Sequence, residues 1–541
     1  MKQCPACHRM FTDDALNFCR HDGTALTTDS SQLSLESQPT SPKLPLSPMS
    51  HSGVVGAGNL STSDLPTTVL PRKRRSTSKI INSLVVLPFD NASTDQQMEY
   101  LSDGITESIT NGLSQIPKLR VVPRSTAFRY KGNQADPLVV GNNLEVRGVV
   151  TGRVLQVGEL LVVRAELIDV DQQSQLWGEE YRRGMGDIFA IQEEISREIS
   201  SKLRLHLSGD ERKRLAKRYT ENTEAYHFYL KGRYYTNKRT TDWIKKGIEH
   251  FQQAIELDQK YALAYAGLAD AYAFLASSTG ECRPTEWYPK AKDAALKALQ
   301  LDEMLAEAHA SLGFSRLLYD WDFDSAKREF KRAIKLNPSF ANAHDGYSFY
   351  LKATGQHEKA IRACQDAQKL EPLSLFATIS LGWAYYFARD YDQAVSQHRK
   401  ALEMDPQSAF AHWNLGMALV QLNKMDEAIE AFRQADTHSG GGLTFKAHLG
   451  FALALAGQHD EARGIITELE TMARQRYVSS YHFAIIYLGL GEFDRTFDYL
   501  DSACDERSGF MSFIKVEPML DPLRSDPRFD VLEGRIWPRS S

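Results

Sequence analysis

A period of 34 residues runs through the second half of this 541-residue chain. Ala360, Ala394, Ala428 and Ala462 are each 34 residues apart, and so are Gly382, Gly416 and Gly450. Ala367, Ala401 and Ala435 keep the same step, with Leu469 in the fourth place, and Pro372 and Pro406 close two of the units. Small residues at fixed offsets with that period predict stacked helix–turn–helix units. In one unit Leu381, Ala384, Tyr385 and Ala388 share a face of the first helix, and Ala394, Ala401 and Leu402 mark the second. The small residues belong where the helices cross, because a large side chain there would force them apart. A proline cannot continue the second helix, so one unit stops and the next begins. A single unit cannot bury its apolar face alone and is stable only in a stack.

This pattern resembles the tetratricopeptide repeat. The small residue of the first helix is Gly382, Gly416 or Gly450, and the paired alanines of the second are Ala394 and Ala401, then Ala428 and Ala435. About eight units fit between residues 222 and 508. One carries about ten extra residues near Ser277 to Trp287, and ASLGFSRLLYDWDFDSAKREF has one extra residue in its turn. The resemblance implies an all-α, right-handed superhelix in which fixed positions of each first helix face a concave groove. In the unit starting at Leu375 these are Phe376, Ile379, Trp383, Tyr386 and Phe387. In the next they are Phe410, Trp413, Met417, Val420 and Gln421, and flanking units add Phe314, Phe349, Phe451, Tyr481 and Ile485. The groove is apolar and aromatic, without the Lys and Asn set by which chaperone-binding arrays clamp a carboxylate. Such a patch predicts a site for a peptide or helix of a protein partner. The alternative is that these residues pack on one another, or on the chain's own linker or tail.

The chain begins differently. Residues 1–27 read as a short zinc ribbon: Cys4 and Cys7 form a CxxC knuckle, and Cys19 supplies a third thiolate. The fourth ligand falls on Asp22, with His21 and His8 also within reach. The segment resembles the CPxC…FCxxDG ribbons that head many bacterial multidomain proteins. It is too short to bury a core, so structural zinc would supply most of its folding energy. A catalytic zinc is not expected, since no acid/base cluster accompanies the cysteines. Six cysteines in a chain this long are no disulfide framework. With no secretory leader and no apolar run long enough to span a membrane, the expectation is a cytoplasmic protein.

Residues 28–78 are rich in Ser, Thr, Pro and Gly and predict a disordered linker. PRKRR at 71–75 is a basic cluster that a solvated linker accommodates, and that could also touch phosphates. Residues 79–208 alternate strand and helix. SLVVLPF and LRVVP read as strands, RGVVTGRVLQVG and ELLVVRAELIDV as a hairpin around Gly158, and SQLWGEEYRR as a last strand. LSDGITESITNGLSQIP and DIFAIQEEISREISSKLRLHL read as amphipathic helices. The order of these motifs resembles the TolB-amino-terminal-like α/β domain, which in bacteria commonly precedes tetratricopeptide repeats and often follows a winged-helix, kinase or adenylate-cyclase module. Here a ribbon stands in that module's place. Residues 509–541 resemble the tail of such arrays, and Phe513, Leu520, Leu523, Phe529 and Leu532 are expected to cap its open end.

No GxxxxGK[ST], HExxH, GxSxG or kinase signature occurs. Cys364 sits at a packing position of a second helix, and His344 and His412 occupy equivalent repeat positions as interhelical packers. The net charge of −5 does not mark the whole chain as a nucleic-acid binder. The sequence thus predicts a multidomain, non-enzymatic scaffold that binds a protein partner through the array. The alternative is a signalling or transcriptional regulator whose ribbon and basic linker contact nucleic acid.

Overall fold

The computed structural model describes residues 81–537, except 94, 96–97, 117–118, 133–134, 206, 210–216, 239, 278–281 and 371–373, together with three short strands near the start. The chain divides into two units, Met1–Lys73 and Arg74–Ser541. In the first, Lys2–Gln3 pairs antiparallel with both Met10–Phe11 and Thr27–Thr28. The expected zinc ligands Cys4, Cys7, Cys19 and Asp22 or His21 lie outside the described residues, as do residues 29–78 of the expected linker.

The second unit opens with a mixed sheet. Its strands run in the order Arg120–Val121, Ser83–Val86, Gly148–Val157, Leu160–Asp169, Ser174–Gly184. The first three are parallel and the last two antiparallel. Alternation along Ser83–Val86 sends Leu84 and Val86 to one face and Val85 to the other, so both faces are buried. Leu101, Ile105, Ile109 and Leu113 of the Glu99–Ser114 helix cover one face, beside Ile188, Ile191, Ile195 and Ile199 of Ile188–Lys202. The Pro137–Asn143 helix covers the other through Val140. The hairpin turns at Gly158, whose φ of +59° is costly for a residue with a Cβ.

Sixteen helices follow as eight pairs among the described residues. They are Thr223–Thr236 with Thr241–Leu257, Ala262–Ser277 with Pro284–Leu301, Ala306–Ser315 with Phe323–Leu336, and Ala341–Ala353 with His357–Leu370. Then come Leu375–Phe387 with Tyr391–Met404, Ala409–Gln421 with Met425–Ser439, Leu443–Leu455 with His459–Ala473, and Ser480–Gly489 with Phe493–Asp505. The crossing glycines are explained by what faces them. A Cβ on Gly416 would lie 2.7 Å from Phe432, and one on Gly382 would lie 2.4 Å from the His398 ring. Phe330, His398 and Phe432 keep a multiple of the 34-residue step and fill the crossings at Gly346, Gly382 and Gly416, whereas Gly450 meets Ile465 and Ile486. The extra residue of the third pair is absorbed by a π-helical turn at Arg316–Asp320.

The sheet domain is locked to the first pair by charge. Glu107, on the Glu99–Ser114 helix, is buried and bonded by Arg233 Nε at 2.8 Å and Asn237 Nδ2 at 3.3 Å, with Arg124 Nε at 3.1 Å. Burial pushes its carboxyl up, but Arg233 and Arg124 outweigh that and hold it below the usual range. Beside it Tyr226 shares hydrogen bonds with Ser108 and Gln192, and Leu230 fills the space over Gly104. Removing Glu107 leaves two guanidinium groups facing each other without their carboxylate. Glu107→Ala is expected to cost about 3–5 kcal/mol of stability. Denaturant unfolding of the full chain checks this, and a loss below about 1 kcal/mol would count against the pair as the domain lock.

Candidate functional site

The aromatic stripe predicted for the inner face of the array is present. Phe349 and Trp383, one pair apart, meet edge to face with centroids 5.0 Å apart, and Trp383 lies 5.3 Å from Phe387. Further along, Trp413 meets Phe445 at 6.0 Å and His448 at 5.2 Å.

The stripe does not stand open. After the last repeat helix the chain enters two 3-10 turns, Gly509–Phe513 and Pro518–Leu523, which lie against it. Phe513 stacks on Phe387 at 5.4 Å and 6°, and lies 5.2 Å from Trp383 and 6.1 Å from Phe349. Phe510 stacks on Tyr481 at 4.7 Å and 10°. Polar groups fix the register of this contact. The Tyr386 hydroxyl donates to Glu517 at 2.5 Å, and Arg389 pairs with Asp521 through both terminal nitrogens. At the near end Ser512 Oγ donates to the Leu317 carbonyl at 3.1 Å, and the Arg507 guanidinium sits 4.3 Å over Trp321. Residues 507–521 therefore touch the third, fourth, fifth and eighth pairs. The following helix, Pro527–Ile536, returns to Phe493–Asp505 through Arg528 with Asp494 and Arg535 with Asp501 and Asp505.

This arrangement corrects two sequence expectations. The groove is closed over by the chain's own tail, because apolar rings of this extent need a cover and a tethered segment supplies it at high effective concentration. Ile379, Tyr386, Phe387, Trp413, Met417, Phe451 and Tyr481 are buried, and Phe349 and Trp383 are half-buried. Phe376 and Phe410, 34 residues apart, remain 49% and 48% exposed. Phe513, expected to cap the end of the array, lies instead at its middle, while Phe529 and Leu532 belong to the helix that covers the last pair. The tail residues Phe510, Glu517 and Asp521, and Arg389 opposite them, were not singled out from the sequence. The spacing of aromatic and acidic residues in GFMSFIKVEPMLD was the available signal. His344 and His412 each bond a carbonyl of the preceding turn, Pro338 and Pro406, and His412 packs between helices as expected, its ring stacked 5.5 Å from that of His438.

Three features set the electrostatics of this interior. Burial pushes the Glu517 carboxyl up to about 7, against the lowering effect of the Tyr386 hydroxyl and the Met519 amide. Lys352 is fully buried, and burial lowers its pKa; its ammonium donates to Ser380 Oγ at 2.9 Å and faces the Phe349 and Trp383 rings at 4.6 and 4.8 Å. Burial also holds His398 down to about 3, His448 to about 4 and His482 to about 3. Both His398 ring nitrogens lack a hydrogen-bond partner.

A model of the tetratricopeptide repeat family matches residues 379–442. The array thus matches tetratricopeptide repeats at residues 379–442, and its other helix pairs share the helix–turn–helix form. The model of the HilA/YgeH-like transcriptional regulator, second domain, matches residues 79–197 of the sheet domain. A curated relative from Rhizobium meliloti (strain 1021), named putative adenylate cyclase 3, is 35% identical over 187 residues, 35% of this chain and 32% of the relative. The chain thus spans about a third of the length of that relative. This match overturns the expectation, drawn from absent short motifs, that the chain is not an enzyme. Among solved structures, the tetratricopeptide array is similar to YrrB, at 22% identity over 35% of this chain and 91% of that one, with a TM-score of 0.25. It is also similar to Pseudomonas aeruginosa pilF, at 18% identity over 40% of this chain and 94% of that one, with a TM-score of 0.31. Among the described residues, no helix is long and apolar enough to cross a membrane.

The buried histidines of the tetratricopeptide array give it an acid sensitivity. A histidine whose folded pKa is depressed stabilises the fold above its ordinary value of 6.5, and that contribution is lost as pH falls toward the folded value. His398 stands where Phe330 and Phe432 stand in other repeats. His398→Phe is therefore expected to raise stability by about 2 kcal/mol more at pH 5 than at pH 7.5. Thermal melts of both chains at the two pH values check this; an equal gap at both contradicts it.

Proposed function

We propose that this chain is a protein-interaction scaffold within a signalling or regulatory system, and that its array holds a segment of polypeptide in the aromatic groove. One observation carries the reading: the groove already grips the chain's own tail by ring stacking and by side-chain bonds from Tyr386 and Arg389. The HilA/YgeH-like match and the relative named a putative adenylate cyclase support the signalling setting. In this reading residues 79–208 are a TolB-amino-terminal-like domain held rigidly on the first repeat, and the protein works in the cytoplasm. Structural zinc is held at the start of the chain by Cys4, Cys7, Cys19 and Asp22 or His21, which elemental analysis of the full chain under reducing conditions checks.

Phe376 and Phe410 form the exposed edge of the groove and test the reading with little risk to the fold. Affinity capture with the full chain should retain a partner in near-equal amount, and Phe376→Ser with Phe410→Ser should weaken it about tenfold or more with an unchanged melting temperature. Equal capture by both chains would place the partner site elsewhere.

A second reading takes up the name of the curated relative: the chain itself carries nucleotide-cyclase activity. Formation of cyclic AMP from ATP by the purified full chain with a divalent cation is the expected result. No product at micromolar protein would reject that activity for this chain.

A further inference from the structure

The tail segment 508–523 folds into two 3-10 turns, of five and six residues, in which Glu517 also accepts from the Met519 amide and Asp521 from Arg524, while its rings are placed by the groove. Its ends are pinned close together. Residue 505 ends the last repeat helix, and the helix that begins at Pro527 is ion-paired back to that same helix through Asp494, Asp501 and Asp505. The stretch between them is thus a loop with both ends held by the same helix.

We propose that this segment is a built-in ligand of the groove, a latch displaced by a partner peptide of the same chemistry: two aromatic residues three apart, then a carboxylate four residues on, then a second carboxylate four beyond it. The proposal rests on the reading of the array as an interaction module. Each element of the pattern meets a matching element of the groove. Phe510 takes the Tyr481 ring, and Phe513 takes the site walled by Phe349, Trp383 and Phe387. Glu517 takes the Tyr386 hydroxyl, and Asp521 takes the Arg389 fork. A surface made only to be covered would need the rings alone; the two carboxylate contacts add a register.

Glu517 also makes the latch responsive to pH. It faces Tyr386, Tyr391 and Tyr481 from the array, with Asp521 and Arg524 from the tail, and Arg389 bound to Asp521. Its docked pKa is raised to about 7 from an ordinary 4.5, so the docked tail takes up a proton. The sign follows: docking is favoured at low pH, and that advantage is lost as pH rises through about 7.

A labelled peptide with the sequence of residues 507–523 tests the proposal on the full chain. Against wild type, Phe513→Ala should bind the peptide at least tenfold more tightly, and adding Trp383→Ala should remove the gain. Asp521→Asn, which removes the pair with Arg389 and the contact with Arg524, should give a smaller gain in the same direction. Glu517→Gln keeps a neutral side chain in place, so at pH 8 it should bind the peptide severalfold less than wild type, and at pH 5.5 about equally. If the Phe513→Ala and Asp521→Asn chains melt near wild type, are cleaved by trypsin at Lys515 and still take no peptide, the groove is no ligand site. That outcome overturns the latch and the groove reading together. If instead both melt as a whole and resist cleavage at Lys515, the tail is a fixed part of the array. That outcome overturns the latch alone and leaves the partner site at the exposed Phe376 and Phe410 edge.

Discussion

A side chain placed every 34 residues is placed on the same face of every repeat, and this repetition governs the rest of the structure. At the crossings it sets glycine against a ring, as with Gly416 and Phe432. On the inner face it lines up Phe349, Trp383 and Phe387 beside Trp413. The first alignment lets the helices approach. The second creates an apolar surface that the tail, rather than the stacking of the repeats, covers. Something has to cover it, and residues 507–523 do so.

What could be read from the sequence was whatever repeats or alternates. The helix pairs followed from the spacing of Ala360, Ala394, Ala428 and Ala462, and Gly158 marked the hairpin. The inner positions of the stripe were also legible, because their offsets within the repeat are fixed. The path of the tail was not. Tyr386 and Glu517 are 131 residues apart, and Arg389 and Asp521 are 132 apart, so no local pattern joins them. Glu107 and Arg233 are 126 apart and belong to different domains. In sequence the apolar residues of the tail look alike and all point to an end cap; only the fold separates Phe513, at the middle of the array, from Phe529, at its end. The exposure of Phe376 against the burial of Phe387 on the same helix is likewise decided by where the tail runs.

The sheet domain and the array are joined by buried contacts. Beyond Glu107, Asn337 Nδ2 of the third pair donates to Ser114 Oγ at 3.1 Å, so the Glu99–Ser114 helix touches the array at both ends. A partner held in the groove would therefore act on a body that includes the sheet domain. This is the coupling a regulatory scaffold needs, and it depends on charges that lose their compensation if the surfaces separate.

A tail held in the groove as a ligand is held opens locally, without unfolding of the repeats. Amide hydrogen exchange on the full chain measures this most directly. The account predicts that amides of residues 509–523 exchange through a local opening, with protection well below that of the Leu375–Phe387 and Ala409–Gln421 helices, and that opening becomes easier as pH rises through about 7 once intrinsic rates are corrected. Protection equal to that of those helices, with no such pH dependence, would show that the tail leaves only when the whole array unfolds and would contradict it.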